Sequence, residues 1–172
     1  KYVEVDGKPC VMEMMKPIDK NAVFSLNGRE ELISKLAKSN EEVYRDSLTS
    51  AFNRRYFEET LKNTVFSGGV VMIDLDDFKV YNDTRGHDTG DAVLKAVVGA
   101  IKDCIRGTDT LIRYGGDEFL LLMPGVENEK NFNRKLGEIK RKVRGTDVTD
   151  YSGINLSVSI GGVIADKEPL QN

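Results

Sequence analysis

Several features are scarce or absent in this sequence of 172 residues. It has only two cysteines, Cys10 and Cys104, and no apolar run close to the length of a membrane-spanning helix. Such a helix needs about 18 consecutive apolar residues, and two cysteines without metal-ligand spacing build neither a disulfide framework nor a zinc site. We therefore expect a cytoplasmic chain with reduced thiols.

Excess positive charge is also absent. Lysine and arginine total 25 against 28 aspartates and glutamates, which gives a net charge of −3. This balance argues against non-specific binding to DNA or to an anionic membrane, so we expect no DNA partner. No Walker-type GxxxxGK[ST] sequence is present, which argues against that kind of nucleotide site.

The composition that is present is typical of one folded domain with some additional chain. Hydrophobic residues make up 40% and charged residues 31% of the sequence, and a chain of this length buries enough surface for a hydrophobic core. The chain begins at Lys1 without a methionine or an apolar leader. We expect it to be a piece of a longer protein, whose attachment to a membrane this sequence leaves open.

The first 45 residues predict two connecting elements. Strand-like residues on either side of Asp6-Gly7 predict a β-hairpin, and we interpret residues 1–27 as the tail of an upstream sensory domain of the PAS-like kind. Residues 28–45 predict a linker helix, in which Ile33, Leu36 and Val43 follow a helical spacing. Two heptads are too few to decide between a dimerising coiled coil and an ordinary amphipathic connector.

The remaining residues predict an α/β (α+β) fold. After a helix over Asn53–Thr64 and a break at Gly68-Gly69, the expected order is strand, short helix, helix, strand, strand, helix, strand. This is a split βαβ pattern with an antiparallel-centred sheet and helices on one face. The predicted elements are strand Val70–Leu75, helix Asp77–Tyr81, a turn-rich connection over Asp83–Gly90, helix Asp91–Ile105, strands Thr110–Tyr114 and Phe119–Met123, helix Asn131–Val143 and strand Ile154–Val163.

Acidic residues at two places point to a metal site. Asp74 interrupts the apolar run VVMIDL, which predicts a strand buried on both faces, and Asp76 and Asp77 follow it. One of the latter two would cap a helix, but a charge at the end of a buried strand needs a partner, commonly a hard cation. Asp117 and Glu118 lie on the predicted hairpin. A split βαβ sheet brings that hairpin beside Asp74, where carboxylates hold one or two Mg²⁺ ions for phosphoryl or nucleotidyl transfer.

Three long motifs resemble those of GGDEF-domain diguanylate cyclases. The string RYGGDEF occupies Arg113–Phe119, DLDDFKVYNDTRGHDTGD occupies Asp74–Asp91, and DSLTSAFNRRYF over Asp46–Phe57 is similar to the family's D-x-L-T-G-L-x-N-R-R-x-F motif. The resemblance covers residues 46 to about 164. It implies a nucleotide-cyclase or palm-like sheet flanked by helices. It also implies the condensation of two GTP molecules into cyclic di-GMP with release of two pyrophosphates, carried out by a homodimer.

The resemblance also implies the residues of the catalytic site. Asp74, the carbonyl of Leu75 and Asp117 would bind Mg²⁺ or Mn²⁺, Asp117 would also take the proton of the 3′-hydroxyl, and Glu118 would support this site. Alone, the single histidine of the sequence is more often a turn residue, but its G-H-x-x-G-D context favours the substrate site. The residues implied in GTP binding are Lys79 at the phosphates, Asn82 and Asp91 at the guanine edge, His87, and Gly115 and Gly116, whose backbone would approach the phosphates closely.

A further short motif implies inhibition by the product. Arg106 and Asp109 form an R-x-x-D sequence at the family's usual offset from the signature, and Arg113 would assist them. Without that context, the same residues predict only a salt bridge at a helix end. The alternative function is a catalytically inactive module that binds GTP or cyclic di-GMP and signals to a partner.

The sequence departs from the family at two places. Ser50-Ala51 stands where the N-terminal motif has Gly-Leu, which concerns how the linker joins the domain more than the chemistry. We assign residues 46–172 to the GGDEF domain. We expect this domain to lack the family's C-terminal helix and closing strand, and with them a lysine and an arginine that bind the GTP phosphates. The activity of this chain by itself is therefore left open.

Overall fold

The structure is a computed structural model that describes residues 2–5, 8–11 and 42–170. The chain divides into two units, Lys1–Val43 and Tyr44–Asn172. In the first unit, β1 (Tyr2–Val5) and β2 (Lys8–Val11) pair antiparallel, as the predicted hairpin requires. The predicted linker helix lies outside the described residues except for residues 42–45, of which only 42–43 are helical. Its dimerisation and the sensory origin of residues 1–27 stay predictions.

The second unit is built on a five-stranded sheet of order β3-β5-β6-β4-β7. The short β3 runs parallel to β5, and all other neighbours are antiparallel. The long β4 lies between β6 and β7, so the antiparallel centre of the sheet is confirmed. The strands are β3 (Phe52–Asn53), β4 (Val65–Leu75), β5 (Thr110–Arg113), β6 (Glu118–Pro124) and β7 (Val158–Pro169).

Four helices and one π-helical segment accompany the sheet. They are α1 (Arg54–Tyr56), continued by the π-helical segment Phe57–Leu61, then α2 (Phe78–Arg85), α3 (His87–Lys102) and α4 (Glu129–Arg144). The apolar positions of α3 recur every three or four residues, and together with those of α4 they bury one face of the sheet. Val97, Ile101 and Ile139 have no exposed surface in this core.

The opposite face of the sheet has a smaller core of its own. Phe57 of the π-helical segment packs there with Ile112, Leu120, Leu122 and Leu170. The expectation of helices on one face alone is therefore wrong. β5 and β6 contribute apolar side chains to both cores, because successive side chains of a strand point to opposite faces of the sheet.

Glycines account for two differences between the predicted and observed elements. Gly68-Gly69 does not end a segment but lies within β4, where the register shifts at a bulge and Gly68 has a φ of +143°. Gly86, with a φ of +85°, separates α2 from α3 by one residue, so the predicted turn-rich connection over residues 83–90 is helical on both sides of it. Asp83 and Thr84 favour turns by residue type, but the packing of the two helices outweighs this local preference.

Two further elements differ in extent. The predicted helix over residues 53–64 is only α1 and the π-helical segment, and the predicted strand over residues 154–163 is displaced to β7, Val158–Pro169. Ile154 and Leu156, which alternate with polar residues before this strand, are nevertheless buried. Within the described part of the chain, every helix is too short or too polar to span a bilayer.

Candidate active site

The carboxylate of Asp74 lies at the end of β4, between the two neighbouring strands. Its register partners are Glu118 on β6 and Ser159 on β7. Met72, two residues earlier on the same face, is 44% exposed, so this half of β4 is buried on one face and not on both as predicted. A cavity of about 420 Å³ lies over this open end of the sheet and is lined in part by Asp74, Glu118 and Ser159.

The signature hairpin places Asp117 beside Asp74, as the split βαβ topology predicts. The backbone N–H of Leu75 donates a hydrogen bond to the carbonyl oxygen of Asp117 at 3.2 Å. Burial, followed by the negative charges of Asp117 and Asp76, raises the pKa of the Asp74 carboxyl above its ordinary value. This concentration of negative charge at the edge of the sheet suits a hard divalent cation.

Asp76 has protein partners that the sequence reading missed. The hydroxyls of Ser157 and Ser159 donate hydrogen bonds to its two carboxylate oxygens at 2.5 and 2.7 Å, and these bonds lower its pKa. Neither Asp76 nor Asp77 caps α2 with its side chain, since Asp77 occupies the N-cap position with a left-handed φ of +58° and no such bond. The predicted side-chain cap is therefore wrong. The alternating serines before and within β7 were the available signal, because they lie on the face that Asp74 shares.

The candidate metal ligands are consequently few. Among residues 2–5, 8–11 and 42–170, no three histidine, cysteine, aspartate or glutamate side chains gather closely enough to form a metal site by themselves. The ligand set that the sequence predicts, the Asp74 and Asp117 carboxylates with the backbone carbonyl of Leu75, stays a prediction. All three are oxygen donors, which fit Mg²⁺ or Mn²⁺, and the remaining coordination positions are open to substrate and water.

Glu118 closes the signature hairpin in a way that explains one of its glycines. The backbone N–H groups of Tyr114 and Gly115 both donate to the Glu118 carbonyl, at 2.8 and 3.1 Å. A Cβ atom on Gly115 would lie 2.6 Å from the Glu118 carboxylate, so that side chain needs the space. Neither Gly115 nor Gly116 has a positive φ.

Arg113 connects this hairpin to the loop formed by residues 44–51, here called the 44–51 loop. Its Nε and Nη2 donate to the Gly116 carbonyl at 3.1 and 2.7 Å, and its Nη1 donates to both oxygens of Asp46 at 3.1 and 3.2 Å. Although burial raises it, hydrogen bonds from Thr49 and the charge of Arg113 hold the pKa of Asp46 below its ordinary value. These contacts give the guanidinium a structural role, and the product-binding role of Arg113 stays a prediction.

The predicted guanine-binding residues lie where α2 meets α3. The side chain of Asn82 covers Gly90, and a Cβ atom on Gly90 would lie only 2.0 Å from the Asn82 Oδ1 atom. Asp91 follows directly and is exposed, as are His87 at the first position of α3 and Lys79 in α2. The two helices therefore bring Asn82 close to the turn that carries Asp91. Gly90 is the positioning residue in this arrangement.

Comparison with known proteins identifies the family. The family described as diguanylate cyclase, GGDEF domain, matches residues 43–172. This chain belongs to the GGDEF family. Diguanylate cyclase DosC of Escherichia coli K12 is 35% identical over 140 residues, 76% of this chain and 30% of that protein. The probable diguanylate cyclase DgcT of the same organism is 36% identical over 137 residues, 74% of this chain and 30% of its own length. The chain thus spans about a third of these curated relatives.

Solved structures confirm the fold of this GGDEF domain. The coiled coil and GGDEF domain of DgcB from Caulobacter crescentus, in complex with c-di-GMP, superimposes with a TM-score of 0.66 at 28% identity and covers 78% of this chain and 75% of that one. Diguanylate cyclase SiaD from Pseudomonas aeruginosa, in complex with its activator SiaC, gives 0.64 at 30% identity and covers 78% and 55%. The predicted α/β fold with a mixed sheet flanked by helices is confirmed.

The R-x-x-D sequence of the GGDEF domain forms the turn between α3 and β5. The Arg106 amide N–H donates to the Asp109 Oδ2 atom at 2.8 Å, and the Asp109 amide donates back to the Arg106 carbonyl at 3.0 Å. The salt bridge that the residue types alone suggest is not the bond observed. The Arg106 side chain is left exposed, beside a cavity that also contains Arg45 and Lys102.

Proposed function

We propose that this GGDEF domain is a diguanylate cyclase, which condenses two GTP molecules into cyclic di-GMP and releases two pyrophosphates. The observation that carries the proposal is the convergence of Asp74 and Asp117 at the open end of β4, within an intact signature hairpin. The identities with DosC and DgcT support it, because they extend over the same part of the chain. The intact pair Asp117 and Glu118 argues against the inactive binding module.

A divalent cation, Mg²⁺ or Mn²⁺, would be held by the Asp74 and Asp117 carboxylates and the Leu75 carbonyl. When bound, it would neutralise charge that develops on the phosphates. Glu118 would support the site from the neighbouring strand, where it lies opposite Asp74 in register. Asp76 would not bind the metal directly, since both of its carboxylate oxygens accept hydrogen bonds from serine hydroxyls.

The reaction requires few protein groups beyond this site. The 3′-oxygen of one GTP would attack the α-phosphorus of the other, and the bond from that phosphorus to pyrophosphate would break. Asp117 would accept the proton of the 3′-hydroxyl, and positioning of the two nucleotides would supply most of the acceleration. Because each domain would hold one GTP, the active form would be a homodimer with the two sites facing each other.

The remaining residues would bind the nucleotide. Asn82 offers both an amide donor and a carbonyl acceptor, and Asp91 is an acceptor for the N–H groups of guanine. The exposed Lys79 and His87 lie on the same pair of helices and would approach the phosphates and the substrate. Gly115 and Gly116 would let the hairpin backbone approach the phosphates.

The test is chromatographic detection of cyclic di-GMP after incubation of the purified chain with GTP and Mg²⁺. We expect product from the unmodified chain and none from Asp117→Asn. Glu127→Gln is the matched control, because Glu127 is an exposed acid on the connection after β6. Absence of product from the unmodified chain at concentrations that permit dimerisation would contradict the proposal for this chain, as would turnover by Asp117→Asn.

A further inference from the structure

Residues 152–157, here called the 152–157 segment, precede β7 and lie alongside α2. The Tyr81 hydroxyl donates a hydrogen bond to the backbone carbonyl of Asn155 at 2.8 Å, and the Arg85 Nη1 atom donates to that of Ser152 at 3.0 Å. We propose that Tyr81 and Arg85 are positioning residues for GTP, because they fasten α2, the helix with the candidate guanine-binding amide, to this segment. The inference rests on the proposed function, and it concerns two residues that the sequence did not place in the site.

α2 has little buried apolar surface of its own to hold it in place. The helix is eight residues long and none of its residues is fully buried, although Phe78 and Tyr81 pack half-buried against the core beneath α3 and α4. A helix this short is unstable by itself and depends on its tertiary contacts. The two hydrogen bonds to the 152–157 segment therefore contribute a large share of what fixes α2.

The 152–157 segment is itself fixed to the body of the domain. Its Ile154 and Leu156 side chains are only 8% and 2% exposed and belong to that same core. The carbonyl of Asn155, which accepts from Tyr81, lies between these two buried residues in the chain. The segment thus presents its carbonyl oxygens to α2 from a backbone that is anchored in the core.

The arrangement of side chains on α2 connects this anchor to the nucleotide. Tyr81 and Arg85 are four positions apart, so they lie on one side of the helix. Asn82 is displaced from Tyr81 by about 100° around the helix axis, and its side chain covers Gly90 of α3. A helix fastened along one side cannot rotate about its axis. The two bonds therefore fix the direction in which the Asn82 amide points.

The 152–157 segment also contacts the chain just before α2, next to the candidate metal site. The Ser157 hydroxyl donates to the Asp76 carboxylate, and the Asp76 backbone N–H donates to the Ser157 carbonyl at 3.1 Å. One segment thus holds both the end of β4, where Asp74 lies, and the length of α2, where Asn82 lies. It sets the distance between the groups that would bind the phosphates and the group that would bind the base, and such positioning determines how well a substrate is held.

The experiment compares Tyr81→Phe and Arg85→Gln with the unmodified chain. We expect the KM for GTP to rise about fivefold in each, with kcat within about twofold, because a loosened α2 weakens binding of the ground state and the transition state alike. Arg85→Lys should retain most of the affinity, since one carbonyl needs only one donor. Tyr151→Phe is the matched control, because Tyr151 is half-buried beside the same segment and its hydroxyl forms no hydrogen bond among the described residues.

Amide hydrogen exchange, followed without nucleotide or metal, gives a readout that does not depend on catalysis. Exchange in residues 78–85 should be faster in Tyr81→Phe and Arg85→Gln than in the unmodified chain, and exchange in α4 should be unchanged. Faster exchange in α4 as well would show a general loss of stability, and the two residues would then have a structural role only.

Other results would also overturn the inference. They are an unchanged KM in both Tyr81→Phe and Arg85→Gln, and an equal rise of the KM in Tyr151→Phe. Calorimetric titration with a GTP analogue whose α–β bridge is a methylene group separates the inference from the proposed function. Weaker binding of this analogue by Tyr81→Phe, in a chain that does not turn over GTP, refutes only the catalytic proposal. Turnover with no change at Tyr81 and Arg85 refutes only the inference, and no binding of the analogue by the unmodified chain would overturn the inference too.

Discussion

The guanidinium of Arg113 joins the carboxylate of Asp46 to the backbone of the signature hairpin. Its Nη1 lies 3.1 Å from Asp46 Oδ1, and its Nη2 lies 2.7 Å from the Gly116 carbonyl oxygen. Both side chains are about one-fifth exposed, at 18% and 20%, so water screens the pair only in part. The 44–51 loop and the hairpin that carries Asp117 are thus connected through one side chain. We expect a displacement of either segment to displace the other.

Arg113→Lys tests this connection while keeping the positive charge. A lysine has no planar fork, so it cannot serve Asp46 and Gly116 together. We expect a loss of about 1–3 kcal/mol in the free energy of unfolding, measured by urea denaturation. GTP turnover should fall as well, because the hairpin is less well fixed. Arg134→Lys, an exposed position on α4, is the control, and equal stability of the two variants would argue against the connection.

The pH dependence of stability should contain a contribution from Asp46. Its pKa in the folded chain lies below the ordinary value of 3.8, so its ionised form stabilises the fold above that pH, and the contribution is lost as the pH falls through the folded-state pKa. Asp46→Asn should therefore be less stable than the unmodified chain at pH 7, with a difference that shrinks toward pH 2. Denaturant titration of both chains across this pH range makes the comparison, and a difference that stays constant down to pH 2 would contradict the prediction.

The fold was predictable to the extent that it depends on hydrophobic periodicity. The apolar positions of α3 recur with helical spacing, Ile154, Leu156 and Val158 alternate with polar residues, and both sets are buried. The errors arose at Gly68-Gly69 and Gly86, where a local reading predicts a break and the packed structure continues a strand or starts a helix. The π-helical segment Phe57–Leu61 has no sequence signature of its own. The sequence therefore did not predict that this segment packs on the second face of the sheet.

The site was predictable where a motif fixes both residue type and topology. Asp74 and Asp117 were expected to meet, and the pairing of β4 with β6 brings them together. The partners Ser157 and Ser159 of Asp76 were missed because they lie 81 and 83 residues away in sequence, outside any recognised motif. The contact between Arg113 and Asp46 was missed for a similar reason, since the two residues lie 67 positions apart.

Asp74→Asn should stabilise the chain in the absence of metal. Burial and the charges of Asp117 and Asp76 raise the pKa of Asp74, so its ionised form is disfavoured in the folded state and destabilises the fold at neutral pH. A neutral amide removes that repulsion, and we expect a rise in melting temperature on the order of 2 °C.

Addition of Mg²⁺ should reverse this ranking. The unmodified chain should gain thermal stability with rising Mg²⁺, whereas Asp74→Asn should gain little, because binding to the folded state alone is what raises the melting temperature. Differential scanning fluorimetry with and without EDTA makes the comparison. If Asp74→Asn were less stable than the unmodified chain without metal, the three carboxylates would not be in mutual repulsion.

Gly90→Ala should impair GTP binding through Asn82. The added Cβ would lie 2.0 Å from Asn82 Oδ1, and the side chain of Asn82 would have to turn away from the position in which it is proposed to meet guanine. We expect the KM for GTP to rise about tenfold, the effect of about 1.4 kcal/mol of lost binding, with a smaller change in kcat. A structural effect alone would lower stability without this split between KM and kcat.

Gly99→Ala supplies the matched control on the same helix. A Cβ atom there meets nothing within 4 Å, so the substitution tests helix propensity without a clash. It should stabilise α3 by up to about 1 kcal/mol and leave the KM for GTP unchanged. An unchanged KM in Gly90→Ala as well would mean that Asn82 does not contact the nucleotide, whereas a raised KM in both variants would implicate the helix as a whole instead of the contact between Gly90 and Asn82.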